Sequence, residues 1–335
     1  MRPQGELALL RQIRSRAAHA PGLSLRLGIG ADCALLRPLP QEELAVTTDL
    51  SIAGRHFRLD WHPAESVGHR ALARGLSDLA AMGARPVAAF LSLGLPRELT
   101  TSAARRKTWV QRFLDGLLAL AAVHKTPLAG GDLSESFIPF ADIVLIGSVP
   151  RGRALLRSTA RPGHLLYVTG SLGGSAAALA RLAQLAEAQP AGSNPPRIPK
   201  KLASVLAPHL YPQPRIAQGF MLQRRRLASA AIDLSDGLST DLTHICEESG
   251  VAAEVDAALL PIHPAADLAQ ALNGGEDYEL LFTAPPTVRL PRTIARVKIT
   301  KIGRIVPARR NLPAVTIITT QGSQPLQPQG WEHFS

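Results

Sequence analysis

The chain has 335 residues, 46% of them hydrophobic, enough to bury a substantial core and long enough to favour two packed units over one. The formal charge is +11, but only 4% of residues are aromatic and the basic ones are scattered, which argues against a nucleic-acid binder that stacks bases. Two cysteines, Cys33 and Cys246, exclude a disulfide framework and a cysteine-rich metal site, and both are expected to pack as small apolar residues.

The first residues, MRPQGELALLRQIRSR, hold no signal-peptide core, and no window reaches the ~18 apolar residues of a membrane span. A cytoplasmic protein without a membrane partner is expected. Residues 44–49 (LAVTTD) are a short apolar, β-branched run that stops at an acid, the pattern of a buried strand delivering Asp49 to a loop. From Pro63 to Met82 the period changes. Val67, Ala71, Leu72, Leu76, Leu79 and Ala80 recur at helical spacing, with Pro63 near the first turn and Gly83 just past the end, so Asp78 falls near a helix carboxyl end. A strand over 86–93, a helix over 101–123 and a strand over 141–149 complete an α/β unit, residues 1–150.

A second unit, 151–335, contains a strand at 164–169, a glycine turn into an Ala-rich helix at 173–187, and strands near 228–233, 278–283 and 298–306. Residues 188–200 hold four prolines and read as an exposed loop inside that unit. Each half offers strand-then-acid segments, suggesting two similar open sheets around one cleft.

The acids sit in particular places. Asp32 follows GIG, Asp49 ends TTD, Asp132 follows two glycines in AGGDLS, and Asp233 and Asp236 flank Ser235 in IDLSDGL. Glycine permits close backbone approach to a ligand, and strand ends open onto crevices. Each acid alone could be a turn or helix cap. Five together would repel one another unless cations joined them, and hard oxygen ligands select magnesium, which bridges to phosphates. The expected partner is Mg-ATP. Neither a GxxxxGK[ST] loop nor the protein-kinase motif set is present, so carboxylate-held magnesium and basic side chains would have to carry phosphoryl transfer.

The segments GIGADCALL, TTDLSIAGRHF, ALARGLSDLAAMGARP, LAGGDLSES, GRALLRSTARPG, AIDLSDGL and GGEDYELLF occur in the order found in thiamine-monophosphate kinases, and the resemblance runs from about residue 5 to 334. It implies an α/β (α+β) two-domain fold like aminoimidazole ribonucleotide synthetase, with the amino-terminal sheet forming a homodimer interface. It implies transfer of the γ-phosphoryl of ATP to thiamine monophosphate, giving thiamine diphosphate in one direct step, the last of that biosynthesis. By motif position, Asp32, Thr47, Thr48, Asp49, Asp78, Asp132, Asp233 and Asp236 would hold or surround several magnesium ions. Gly131, Asp132, Arg157 and Ser235 would contact ATP, while His56, Glu276 and Trp331 would face the thiamine phosphate. Asp49, Asp132, Asp236 and Arg157 would carry the catalysis.

Each of the last three substrate residues has a structural alternative: His56 as a half-buried histidine, Glu276 as a helix-start acid, Trp331 as an aromatic pinning the terminus. The chain departs from the family pattern at Ala31, where a second acid is usual before Asp32, and at Leu133, where a hydroxyl usually follows GGD; reshaped support of the metal ligands is expected there. The alternatives are another ATP-using member of the same superfamily, or a non-catalytic basic protein on this scaffold that associates with nucleic acid.

Overall fold

Sequence period and structure agree closely along the helix that follows Pro63. In the computed structural model, which describes residues 6–17, 24–29, 32–101, 107–188, 198–310 and 313–330, a helix runs from Ala64 to Ala81. Val67, Ala71, Leu72, Leu76, Leu79 and Ala80, the positions picked out by helical spacing, are all buried. Ser66 and Val67 donate their amides to the Pro63 carbonyl, and Gly83, at φ +66°, donates to Ala80 O just past the last turn.

The chain divides into two compact units, and the division is not a single cut: Met1–Leu79, Arg85–Arg151 and Ala183–Ile198 form one, and Ala80–Ala84, Gly152–Leu182 and Pro199–Ser335 the other. Of the loop expected at 188–200, residues 189–197 lie outside the described residues.

In the first unit, α1 (Glu6–Ala17) and the hairpin β1 (Leu25–Leu27) and β2 (Leu35–Leu36) precede a four-stranded sheet. Its strands are β3 (Glu42–Ile52), β4 (Arg85–Leu95), β5 (Leu128–Glu135) and β6 (Phe140–Pro150), in the order β3-β6-β4-β5, with β4 and β5 parallel and the other pairs antiparallel. The helix Ala64–Ala81, α2, lies on this sheet: a Cβ on Gly75 would come 2.6 Å from Leu145 Cδ1 of β6. The next helix, α3 (Trp109–His124), crosses α2 where Gly68 faces the Phe113 carbonyl and Gly116 the Glu65 carbonyl, approaches too close for any side chain. Expected from residue 101, α3 starts eight residues later, because Thr108 forms a capping box with Gln111.

The second unit is built on one larger sheet. Its strands are β7 (Leu165–Thr169), β8 (Ala230–Asp233), β9 (Val251–Asp256), β10 (Leu280–Ala284), β11 (Thr293–Ile294), β12 (Val297–Pro307), β13 (Val315–Thr319) and β14 (Gly322–Pro325). The order is β14-β13-β9-β12-β7-β10-β8, with β11 paired to β12, and only β13 with β9 is parallel. The helices that bear on the site are α4 (Gly174–Glu187), α5 (Ala203–Leu210), α6 (Ile216–Arg224) and α7 (Leu238–Ser249). Leu166, Val168, Ile232, Leu242, Ile245 and Leu281 anchor a core shared by the sheet and α7. Cys246 packs there as expected, its thiol pushed up to about 12 by burial, whereas Cys33 is exposed. The architecture is mixed α/β, with more antiparallel pairing than strand-helix alternation suggested.

Candidate functional site

Two of the acid segments expected as loops are strand interiors. β3 continues three residues past Asp49, which pairs with Ile143 of β6, and β5 carries Asp132 opposite Ser92 of β4. Along β3 the side chains alternate. Thr47 and Asp49 face α2, where the Thr47 hydroxyl donates to the Asp78 carboxylate and Arg74 Nη2 lies 2.7 Å from Asp49 Oδ1. Thr48 points to the opposite, solvent-facing side with Leu44, Val46 and Leu50, so strand geometry separates it from its two neighbours. The Asp49 charge is thus met by a cation from α2, and the strand continues through it.

At the other edge of the sheet, Gly131 adopts φ +145°, and a Cβ there would lie 1.9 Å from the Leu91 carbonyl. Only glycine allows β5 to approach β4 this closely. Asp132 next to it is exposed, and its Oδ1 accepts from the Leu133 amide at 2.9 Å. A cavity of about 720 Å³ opens here between α1 and β5, bordered by Asp32, Gly131 and Asp132, by Phe90 and Leu128, and by Arg11 and Arg14 of α1. That size suits a small-molecule site, and the mix is an apolar wall with a few polar groups at one side. Asp32 is exposed; Ala31 lies outside the described residues.

In the second unit β8 ends at Asp233, which is buried, and a sharp loop leads into α7. The loop turns at Gly237, φ +119°, where a Cβ would meet the Asn273 carbonyl carbon at 2.9 Å. Ser235 O accepts the Glu276 amide at 2.8 Å, bringing the GGED segment against the IDLSDG loop. Glu276 is half-buried at φ +65°, its carboxylate 3.5 Å from His209 Nδ1. Gly330 lies against the Asp236 carbonyl, while Trp331 lies outside the described residues.

Two carboxylates here gave no sequence signal of their own. Asp241, in the first turns of α7, accepts the amides of Ser235, Asp236 and Gly237 on one oxygen. Burial, and then the carboxylates of Asp233 and Asp236, push it up to about 8, which places three acids close together at this end of β8. Asp277 accepts the Gly173 amide at 2.5 Å and the Ser175 amide at 3.0 Å. The glycine-rich turn between β7 and α4, which could have cradled a phosphate, is therefore filled by the chain's own carboxylate.

Burial pushes Asp277 up to about 7. A folded value above the unfolded one means the folded state binds more protons between about pH 4 and pH 7, so this group's contribution to stability falls as pH rises through that window. Asp277→Asn, which does not titrate and keeps an acceptor for one of the two amides, is expected to gain stability relative to wild type on going from pH 5 to pH 7.5. Urea denaturation of both proteins across that range checks it; a constant difference would refute it.

Two more expected residues have local backbone partners. His56 is half-buried, its Nδ1 accepts the Ile52 amide at 3.0 Å, and its carbonyl accepts from Arg70, so its proton sits on Nε2. Arg157 is exposed in a short 3-10 turn whose carbonyl accepts from Ser249 at the end of α7, whereas Asp236 precedes the start of that helix. A helix of this length spans ~18 Å, so Arg157 and Asp236 lie at opposite ends of it. Among the described residues, no three Asp, Glu, His or Cys side chains are placed as a ready metal cluster, and no helix is long and apolar enough to cross a membrane.

Comparison with known proteins gives two family matches, the AIR synthase related protein N-terminal domain over residues 30–149 and its C-terminal domain over 161–311. The chain is 39% identical to the thiamine-monophosphate kinase of Escherichia coli (strain K12) over 346 aligned positions, covering 99% of this chain and 98% of that one. It resembles the solved structure of a thiamine-monophosphate kinase from Stenotrophomonas maltophilia K279a at 38% identity and TM-score 0.78, covering 93% and 96% of the two chains. A solved structure described as AaThiL complexed with AMPPCP and TMP matches at 29% identity and TM-score 0.75, covering 98% of this chain and 97% of that one.

Proposed function

Because the chain belongs to the thiamine-monophosphate kinase family, in the AIR synthase related fold, we propose that it transfers the γ-phosphoryl group of ATP to thiamine monophosphate, yielding thiamine diphosphate. The observation that carries the reading is the cavity beside β5, where Asp32, Gly131 and Asp132 border an apolar wall large enough for a nucleotide. Phe90, Leu91, Leu128 and Ala129 offer an apolar surface to a base, and Arg11 and Arg14 offer cations to its phosphates.

The donor set fits magnesium, because Asp32, Thr47, Asp49, Asp78, Asp132, Asp233 and Asp236 present only oxygen. Bound magnesium supplies charge neutralisation on the phosphates and a template for in-line attack. Thr48, on the other face of β3, is left out of this set. The acceptor is already a phosphate anion, so no strong general base is required, and the residues' task is to hold two anions together and exclude water. Ser235 joins the nucleotide contacts in this reading. Arg157, a helix length from Asp236, contacts the nucleotide away from the reacting phosphates. His56 offers Nε2–H, and Glu276 a carboxylate, to the thiamine phosphate. Trp331 is its third contact.

The solvent-facing side of the first sheet supports a homodimer in a cytoplasmic enzyme. Leu44, Val46 and Leu50 are 43%, 61% and 44% exposed on one strand, a row of apolar side chains that a second copy of the chain would cover. Sedimentation is expected to give a two-chain mass, and a monomer at micromolar concentration would remove this part.

The deciding experiment measures ADP release with ATP, magnesium and thiamine monophosphate, run beside thiamine and aminoimidazole precursors. Thiamine diphosphate is expected only with thiamine monophosphate. ADP release that is absent with that acceptor, or equal with the others, would sink the assignment.

A further inference from the structure

The loop that joins β8 to α7 closes around one atom. Asp241 Oδ2 accepts the amides of Ser235 at 3.1 Å, Asp236 at 3.1 Å and Gly237 at 3.0 Å, and the residue is only 1% exposed. The Asp241 amide in turn donates to Gly237 O at 2.9 Å, so backbone and side chain of one residue grip the whole turn. Three successive N–H groups pointing at a common centre form a concave anion site, of the kind that elsewhere receives a phosphate or carboxylate ligand. Here the acceptor is a side-chain oxygen of the chain itself and cannot leave.

We propose that Asp241 is a positioning residue for the phosphoryl transfer, and that its carboxylate serves as the internal template on which Ser235 and Asp236 are set for metal and nucleotide. This rests on the kinase reading given above. Asp241 sits four residues beyond Gly237, on the first turns of α7, and the helix continues into the core through Leu242 and Ile245. Its position is therefore fixed by packing, and the loop inherits that fixity. One of its two oxygens, Oδ2, is taken up by three backbone amides, which separates its part from that of Asp233 and Asp236.

A plain cap would need no such placement beside two other acids, since Ser or Asn caps a helix without adding charge. The template needs an acceptor able to take several N–H groups at a fixed depth. Asparagine keeps one such oxygen, serine keeps a shorter one, and alanine keeps none.

The test uses the full chain with Asp241→Ala, Asp241→Ser and Asp241→Asn. Magnesium is titrated against the melting temperature without nucleotide, and kcat and KM are measured in the ADP-release assay. Asp241→Ala is expected to raise the magnesium midpoint by ~10–100-fold and lower kcat by a similar factor, with KM for ATP changed less. Asp241→Ser is expected to fall between, and Asp241→Asn to stay within about 3-fold of wild type, as retention of the acceptor predicts. If alanine does not fold, the order of serine and asparagine decides. A lower melting temperature with an unchanged magnesium midpoint and kcat would overturn the proposal, and so would asparagine as defective as the shorter variants. If wild type releases no ADP with thiamine monophosphate, the kinase reading fails by itself, while the magnesium midpoints still decide the role of Asp241.

Discussion

Asp236→Asn is expected to lower kcat by at least ~100-fold while leaving the magnesium-free protein as stable as wild type, or raising its melting temperature by about 1–3 °C. The two effects share one cause. Asp233, Asp236 and the buried Asp241 lie close enough that the first two disfavour ionisation of the third, so the folded chain carries like-charge strain at this end of β8. Asparagine removes one of those charges and relieves the strain. In the proposed kinase reading the same removal takes away a charged oxygen ligand for magnesium, and positioning with charge neutralisation is most of what phosphoryl transfer asks of a protein. Activity and stability are then set against each other, as at other strained functional sites.

Asp49→Asn should lose activity too, with the opposite sign on stability. Its carboxylate is 2.7 Å from the half-buried Arg74, so neutralising it removes a counter-charge from that cation. Turnover at saturating substrate, with melting curves in and out of magnesium, checks both variants. Turnover of Asp236→Asn within about 3-fold of wild type would remove this carboxylate from the mechanism.

What the residues revealed in advance depended on whether a signal was local. The helix over Ala64–Ala81 was legible because its burial, start and stop are all encoded within one segment. β5 was not. The two glycines before Asp132 carry no strand signal, yet at Gly131 β4 runs so close that a Cβ would strike the Leu91 carbonyl, and at Gly130 one would meet the Phe90 ring, facts about a strand some 40 residues earlier. Asp49 looked like a strand end for the same reason: its partner Arg74 comes from the next element, and nothing near TTDL announces it. Motif order found most of the acids, and the structure draws Asp233, Ser235, Asp236 and Glu276 together around one loop. Motif order also grouped Arg157 with them, while the fold puts that residue at the far end of α7. Asp241 and Asp277 stayed hidden because they bond to backbone amides, and an amide leaves no mark in the choice of side chain.

Glu279→Gln is expected to destabilise the second unit by roughly 3 kcal/mol, a fall in melting temperature of about 10 °C, through a network that the catalytic reading does not use. The Glu279 carboxylate accepts Arg215 Nε at 2.6 Å, Arg215 Nη2 at 2.5 Å and the Thr169 hydroxyl at 2.5 Å. Thr169 Oγ1 accepts the Leu280 amide at 2.8 Å, so the carboxylate ties the end of β7 to the start of β10 and to the start of α6. Gly170, at φ +59°, leaves it room: a Cβ there would stand 1.9 Å from Glu279 Oε1. Glutamine fits the same space but is neutral, and it leaves the Arg215 guanidinium without a counter-charge. The Arg215 side chain keeps 20% of its exposure and Glu279 only 5%, which moderates the penalty without abolishing it. Removing both charges, as in Glu279→Leu with Arg215→Met, should recover much of the loss, because a buried pair contributes less than either stranded partner costs. Urea denaturation of wild type, Glu279→Leu, Arg215→Met and the double variant gives the coupling directly. A loss below about 1 kcal/mol for Glu279→Gln would mean that water reaches Arg215 and that the strand junction is held by packing of Leu166, Val168 and Leu281 instead.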